Sequence, residues 1–409
     1  MRVAVIGAGI AGLSAAWRLQ AEGYHVEIVE KNNRLGGHTH THHLSVEGKS
    51  VAVDTGFIVF NAFNYPAFCA WLNELQVAAK PSNMSFAVRD EVASLEYGTS
   101  DFKAITAHRR QLLRPSFWRM WIDLSRFYRV LKEGAIEDVT LGDYLVDRGY
   151  GSAFIDSHIA PMCAALWSQP VDASLRLSLR HVVSFMRNHR MLQVSGRPDW
   201  RVVEGGSSAY LEAFRARFTG KIHLGAGPVS VRRETGGVRL SDRPGDHFDA
   251  VVLACHADQA LAVLEDPSED EKRVLGARPF QNNKVYLHQD VSFMARDHRC
   301  WSSWNVTRDS SGEFTITYWM NRLQNLACQA QFFVTLNPNR EPQDVCWQGD
   351  YSHPHFTRES IFAQTCRSDI GTRQTQFAGA YWGSGFHEDG FTSGLTAAQA
   401  LIEGRAGGA

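Results

Sequence analysis

Val3-Ala4-Val5-Ile6-Gly7-Ala8-Gly9-Ile10-Ala11-Gly12-Leu13-Ser14-Ala15-Ala16 opens the chain and decides its fold. Four apolar residues in a row, too few for a helix and without alternation, predict a strand buried on both faces. They run into a Gly-x-Gly-x-x-Gly turn and an Ala-rich helix to about Glu22, which Gly23 closes. A second apolar strand, Val26 to Val29, ends on Glu30, 18 residues beyond Gly12. Each part has a physical task. Gly7 permits the tight turn, Gly9 lets the backbone approach a pyrophosphate, and Gly12 lets the helix pack closely on the sheet. The helix start, with Ala11 in its first turn, offers free N–H groups and the positive end of a dipole to phosphate. Glu30 is placed to accept from a ribose diol. A glycine motif alone means little in a chain with 34 Gly. Strand, turn, helix, strand and acid in this order predict a dinucleotide site.

Glu30-Lys31-Asn32-Asn33-Arg34-Leu35-Gly36-Gly37-His38 then adds a cation and a second close backbone approach, which suit FAD better than NAD. Val53-Asp54-Thr55-Gly56-Phe57 supplies a further turn. Near the other end stands Phe377-Ala378-Gly379-Ala380-Tyr381-Trp382-Gly383-Ser384-Gly385-Phe386-His387-Glu388-Asp389-Gly390, followed by Ser393-Gly394 and an Ala-rich helix. Together these stretches resemble the flavin-containing amine oxidase superfamily, which includes monoamine oxidases, protoporphyrinogen oxidases and phytoene desaturases. The resemblance implies that Gly385, Phe386, His387 and Glu388 aim a helix N-terminus at the flavin, where reduction leaves negative charge. It also implies that Val229 lies beside the adenine and that Glu204-Gly205-Gly206-Ser207 begins the helix returning to the FAD domain.

At 409 residues the chain is too long for one core. The expected class is α/β (α+β overall): a Rossmann-like FAD-binding domain from residues 1–75, 196–275 and 366–409, with an inserted substrate domain from 76–195 and 276–365. The first insert reads as mostly helical. The second carries alternating aromatic strands, Lys284 to His288, Glu313 to Trp319 and Gln331 to Leu336. Trp301, Trp304, Tyr318, Trp319 and Phe332 fit either core or the lining of an apolar cavity. Tyr318, Trp319 and Phe386 are the candidate substrate-pocket residues.

Lys plus Arg number 42 against 43 Asp plus Glu, which argues against nucleic acid as a partner. Seven scattered Cys without a CxxC suit a reducing cytosol rather than a disulfide framework or zinc site. The run His38-Thr39-His40-Thr41-His42-His43 lacks a carboxylate or Cys partner and overlaps the FAD element, so no metal is expected. No apolar run reaches the roughly 18 residues of a membrane span. Because the N-terminus already reads as a strand, a signal peptide is not expected either. These features predict a cytoplasmic protein, at most peripheral on the inner face of the membrane.

Residues 108–134, HRRQLLRPSFWRMWIDLSRFYRVLKEG, hold seven Lys or Arg, two acids and five aromatics. At helical spacing Phe117, Trp121, Leu124 and Tyr128 share an apolar side. This pattern fits an interfacial helix on an anionic bilayer. It equally fits an amphipathic helix packed on its own domain.

His189, His288 and His387 lie in segments expected to converge on the flavin. Any of them could take a proton as hydride leaves for N5, or be a satisfied structural histidine. Lys284 stands at a strand position resembling the active-site lysine of amine oxidases, and Phe386 matches an aromatic that holds the amine there. The opposing half of that aromatic cage has no clear counterpart here. Arg197-Pro198-Asp199-Trp200-Arg201-Val202-Val203-Glu204-Gly205-Gly206-Ser207, Thr317-Tyr318-Trp319-Met320-Asn321-Arg322-Leu323-Gln324, Phe333-Val334-Thr335-Leu336-Asn337-Pro338 and Gly385-Phe386-His387-Glu388-Asp389-Gly390 resemble a bacterial branch linked to fatty-acid modification. That branch includes the methylated-fatty-acid desaturase of furan fatty acid biosynthesis. The resemblance implies an FAD-dependent desaturase that converts a methyl-branched unsaturated acyl chain of a lipid to a conjugated diene. A soluble amine oxidase, a redox-neutral isomerase and a non-catalytic flavin protein are the alternatives. With a single dinucleotide motif, oxygen, a quinone and a carrier protein all stay open as electron acceptor, as does the oligomeric state.

Overall fold

The computed structural model describes residues 1–168, 170–193, 196–227, 229–241 and 247–406. Arg2–Ile6 is the middle of a five-stranded parallel sheet ordered Lys221–His223, His25–Val29, Arg2–Ile6, Ala250–Leu253, Thr375–Phe377. Val3, Ala4 and Val5 are wholly buried because both faces of this sheet are covered. Helices Ile10–Ala21, Ser208–Arg217 and His387–Ala406 pack on one face. A three-stranded antiparallel ribbon and the helices Ala257–Val263 and Glu269–Gly276 pack on the other. Three remote stretches of chain thus meet in one sheet. The helix Arg358–Thr365, assigned by sequence to the inserted domain, sends Ala363 into the core beside this sheet.

A seven-stranded mixed sheet runs Val345–Pro354, Phe280–His288, Phe333–Leu336, Phe314–Trp319, Trp304–Arg308, Phe86–Asp90, Leu95–Gly98. Its last two strands come from the first insert, where sequence predicted mostly helix. Phe86–Asp90 pairs in parallel with Trp304–Arg308, more than 200 residues away, a pairing that no local pattern announces. Alternation gives the sheet two distinct faces. Val285, Leu287, Tyr318, Val334 and Tyr351 pack towards Val53 and Val202 of the nucleotide side. His288, Trp319 and Phe333 point the other way, under Phe293 and Trp301.

Residues 115–133 form a helix, Pro115–Glu133. Phe117, Met120, Phe127 and Leu131 are buried in their own domain, with Trp121, Leu124 and Tyr128 packed beside them. The apolar side picked out from the sequence is therefore an inward face. A different stripe is outward, comprising Leu113, Trp118, Ile122 and Val130, which are 86%, 49%, 63% and 46% exposed. No helix among the described residues is long and apolar enough to cross a membrane.

The buried Asp54 carboxylate joins the separate pieces. It accepts from Thr41 Oγ1, from the Ser207 amide (2.9 and 3.0 Å to its two oxygens) and hydroxyl (3.0 Å), and from Gln324 Nε2 at 2.7 Å. These partners come from the hairpin Thr41–Val46/Lys49–Asp54, the return crossing and the substrate sheet's connection. Asp54→Asn replaces one acceptor oxygen by a donor among four donors. We expect a loss of about 2 kcal/mol of unfolding free energy, read as a lower urea midpoint with the native fold retained.

Candidate cofactor cleft and active site

The first helix begins at Gly9, whose extended backbone leaves the helix N–H groups uncapped by any side chain. The Gly7 amide donates to Val29 O at 2.8 Å, and the Glu30 carboxylate accepts from the Ala8 amide at 2.8 Å and from Asn32. Acid and turn are thus built as one unit, with Gly36 N donating to Ala8 O and bridging Gly9. Gly37 lies on Gly9, and the His38 carbonyl lies where Gly56 would carry a Cβ. Arg34 spans the loop beneath, donating to Gly37 O at 2.8 Å and Thr39 O at 2.9 Å.

The two glycines at the heart of the turn differ in kind. A Cβ on Gly12 would fall 1.9 Å from Gly7 O, whereas a Cβ on Gly9 would meet nothing within 4 Å. Gly12 is required by packing. Gly9 borders a cradle that a methyl group would begin to fill, as expected where a diphosphate passes. The same cradle holds two buried ring nitrogens, His38 Nε2 and His256 Nδ1, without a hydrogen-bond partner among the described residues. The residues present therefore fit FAD.

The closing helix His387–Ala406 starts beside this turn. Gly385 has φ +90°, a left-handed conformation that favours glycine, and Phe356 packs against it. Asp389 holds the turn by accepting from the Ser384 and Phe386 amides at 3.1 and 2.9 Å. Glu388 accepts from the Ala67 and Phe68 amides at 2.8 and 3.0 Å. Its carboxylate caps the helix Pro66–Glu74 and so fixes the closing helix. Val229 likewise sends its side chain into the core under the sheet, leaving only its backbone for a nucleotide. Thr55 is tied to Tyr351 at 2.9 Å and to His42 at 3.1 Å, a seam between the nucleotide loop and the substrate sheet.

The four candidate acid–base residues separate sharply. His189 and Phe386 come together. Phe185 stacks on His189 with centroids 3.8 Å apart and on Phe386 at 4.6 Å. His189 Nδ1 lies 3.0 Å from Phe185 O and must donate to it. This leaves Nε2 with its lone pair, and burial pushes the ring down to about 4, so it is neutral at neutral pH. His387 stacks on Phe57 at 3.6 Å and shares Nε2 with Tyr210 at 3.2 Å; burial holds it well below the usual range. Two expectations are corrected. His288 spends both nitrogens, accepting from the Asp290 amide and bonding Thr335 Oγ1, on the sheet face turned away from the nucleotide side. Lys284 is exposed, its ammonium over Tyr286. Trp319 shares the outer face, while Tyr318 points to the nucleotide side and approaches Ala165 O. Strand alternation explains the split.

His181 was not singled out from the sequence. It precedes Phe185 and His189 at four-residue steps on the helix Leu179–Asn188, stacks on Phe356 at 4.6 Å and lies 5.3 Å from Trp167. The i, i+4, i+8 pattern was its available signal. Among the described residues no cluster of His, Cys, Asp or Glu is arranged to hold a metal.

The family model for flavin-containing amine oxidoreductases matches residues 10–338. The chain belongs to that family. A putative flavin-containing monoamine oxidase of Mycobacterium tuberculosis is 25% identical over 279 residues, 65% of this chain and 59% of that protein. Cyclohexylamine oxidase from Brevibacterium oxydans superposes with a TM-score of 0.70 at 16% identity, covering 99% of both chains. A fatty acid isomerase from P. acnes that produces CLA superposes with a TM-score of 0.67 at 14% identity, covering 98% of each. At these identities the superpositions establish the amine-oxidase-like fold, and FAD is the family's cofactor.

The contrast between the two glycines is testable. Gly9→Ala should leave the melting temperature of the cofactor-free protein unchanged and weaken FAD binding about tenfold or more, followed by flavin fluorescence. Gly12→Ala should lower the melting temperature itself.

Proposed function

We propose that this chain is an FAD-dependent oxidoreductase that desaturates a lipid acyl chain, a methyl-branched unsaturated one giving a conjugated diene. The observation that carries this reading is the stacked pair Phe185 and Phe386. Their centroids are 4.6 Å apart at 19°, whereas two ring faces need about 7 Å to admit an atom between them. A cage for an amine is closed at that place. What packs beside the Gly385 turn is an uncharged cluster of Phe185, Phe356, Phe386 and Trp167, with imidazoles as its polar groups. An apolar chain loses little by leaving lipid for such surroundings.

FAD, when bound, supplies a two-electron acceptor for a hydride equivalent. The chain's own part is to orient the acyl carbon against the turn, exclude water and take the remaining proton. His189 is suited to the last task because Nε2 keeps its lone pair while Phe185 O fixes the ring. Loss of one hydride and one proton from adjacent or conjugated positions leaves a new double bond, so the electrons balance.

Anaerobic mixing with an unsaturated methyl-branched acyl ester should bleach the flavin absorption of the purified protein, and primary amines should not. His189→Phe should keep FAD yet slow bleaching by roughly 10²–10⁴-fold. Bleaching by amines alone would reverse the assignment.

Access to such a substrate is supported by the outward stripe of Leu113, Trp118 and Ile122. Beside it in sequence stand Arg109, Arg110, Arg129 and Lys132, for which no acidic partner is found among the described residues. Apolar anchors ringed by free cations suit an anionic bilayer surface. Vesicles rich in phosphatidylglycerol should retain the protein, and neutral phosphatidylcholine vesicles should not. Trp118→Glu with Ile122→Glu should cut retention about tenfold or more without changing FAD content.

A further inference from the structure

His38 and His256 stand on two sides of the phosphate turn. His38 follows Gly37, which lies on Gly9; His256 follows Ala254 and Cys255, whose backbone abuts Gly7. Their rings stack with centroids 5.7 Å apart. Each buries a nitrogen, Nε2 of His38 and Nδ1 of His256, that has no hydrogen-bond partner among the described residues. An unpaired buried polar atom is costly, and two of them beside one turn indicate a missing partner that both can reach.

The surroundings say what sign that partner carries. Around His38 lie His353 at 5.2 Å and Tyr351 at 5.1 Å from the substrate sheet, His387 from the closing helix, and Arg34 from its own loop. Around His256 lie Phe280 at 4.3 Å, His353 and Lys31. Asp258 and Glu30 act on the neighbouring Cys255. Burial and these cationic or titratable neighbours push the two rings down to about 3 and about 4. Both are therefore neutral in the cofactor-free chain, in a site short of negative charge.

We propose that His38 and His256 receive the FAD diphosphate as a hydrogen-bonding pair and that binding draws a proton from solution onto them. The reasoning uses the family's cofactor and is independent of the acyl substrate. A dianion brought beside a neutral imidazole raises its pKa. Uptake then occurs at any pH above the free value and below the raised one, and FAD affinity falls as pH rises through the raised value. Arg34 braces the loop that carries His38 by donating to Gly37 O and Thr39 O.

Calorimetric titration of the full-length cofactor-free chain with FAD at pH 6, in two buffers of different ionisation enthalpy, reads the uptake directly. The expected heats differ between buffers by the equivalent of about half to one proton. His38→Gln and His256→Gln, tested separately, keep a hydrogen-bonding side chain that does not titrate and should each lose half or more of that difference. His298→Gln, at an exposed site, should lose none. Equal heats in both buffers for the unaltered chain would overturn the proposal, as would undiminished uptake in both Gln variants. Should neither variant take FAD, the unaltered chain decides. Affinity about two- to tenfold weaker at pH 8 than at pH 6 supports the linkage, and a flat profile refutes it. Absence of any binding heat would instead count against FAD itself.

Discussion

Everything in the cleft depends on how closely two helices from opposite ends of the chain can approach. Ile10–Ala21 and His387–Ala406 touch through backbone. A Cβ on Gly394 would lie 2.1 Å from both Ala11 O and Ser14 Oγ, and one on Gly390 would lie 2.8 Å from Ile10. Ser14 Oγ donates to Phe391 O at 2.8 Å across the same contact. Larger residues there would force the closing helix outward, and the Gly385 turn would leave the Gly7–Gly12 turn. Two positive helix ends meet over one cleft because small residues permit it.

The second layer of organisation is the seam between the nucleotide loops and the substrate sheet. It is polar, yet among the described residues its members are mostly neutral, with Thr55, Tyr351, His40 and His42 linked in hydrogen bonds and His38 packed on His353. Neutral donors and acceptors cost less to bury than ions and still fix orientation. Asp54, the buried carboxylate of this seam, is matched by donors from three parts of the chain.

What could be read from the sequence follows from how local each signal is. The glycine turn with Glu30 and the closing motif are each short local patterns, so the nucleotide sheet is legible from them. The face on which a strand residue points is also written locally, but its meaning is not. Tyr318 and Trp319 are adjacent and equally aromatic, and only the placement of Trp301 and Val202 on opposite sides of the sheet tells them apart. The same holds for His288. On the helix Pro115–Glu133 the amphipathic period was clear, but Trp121 and Tyr128 face inward because the core of their own domain claims them. Glu388 lies in a motif associated with flavin, and its partners, two amides 320 residues away, could not be inferred from that motif.

The strand order carries a consequence for synthesis. Arg2–Ile6 is flanked by Ala250–Leu253, and that strand in turn by Thr375–Phe377. One hydrogen-bonding edge of a strand that is apolar from Val3 to Ile6 therefore waits for some 250 residues of translation before its neighbour exists. Long-range parallel pairing of this kind is slow and leaves sticky intermediates. Shortened C-terminal forms would leave the sheet with a raw edge at Ala250–Leu253.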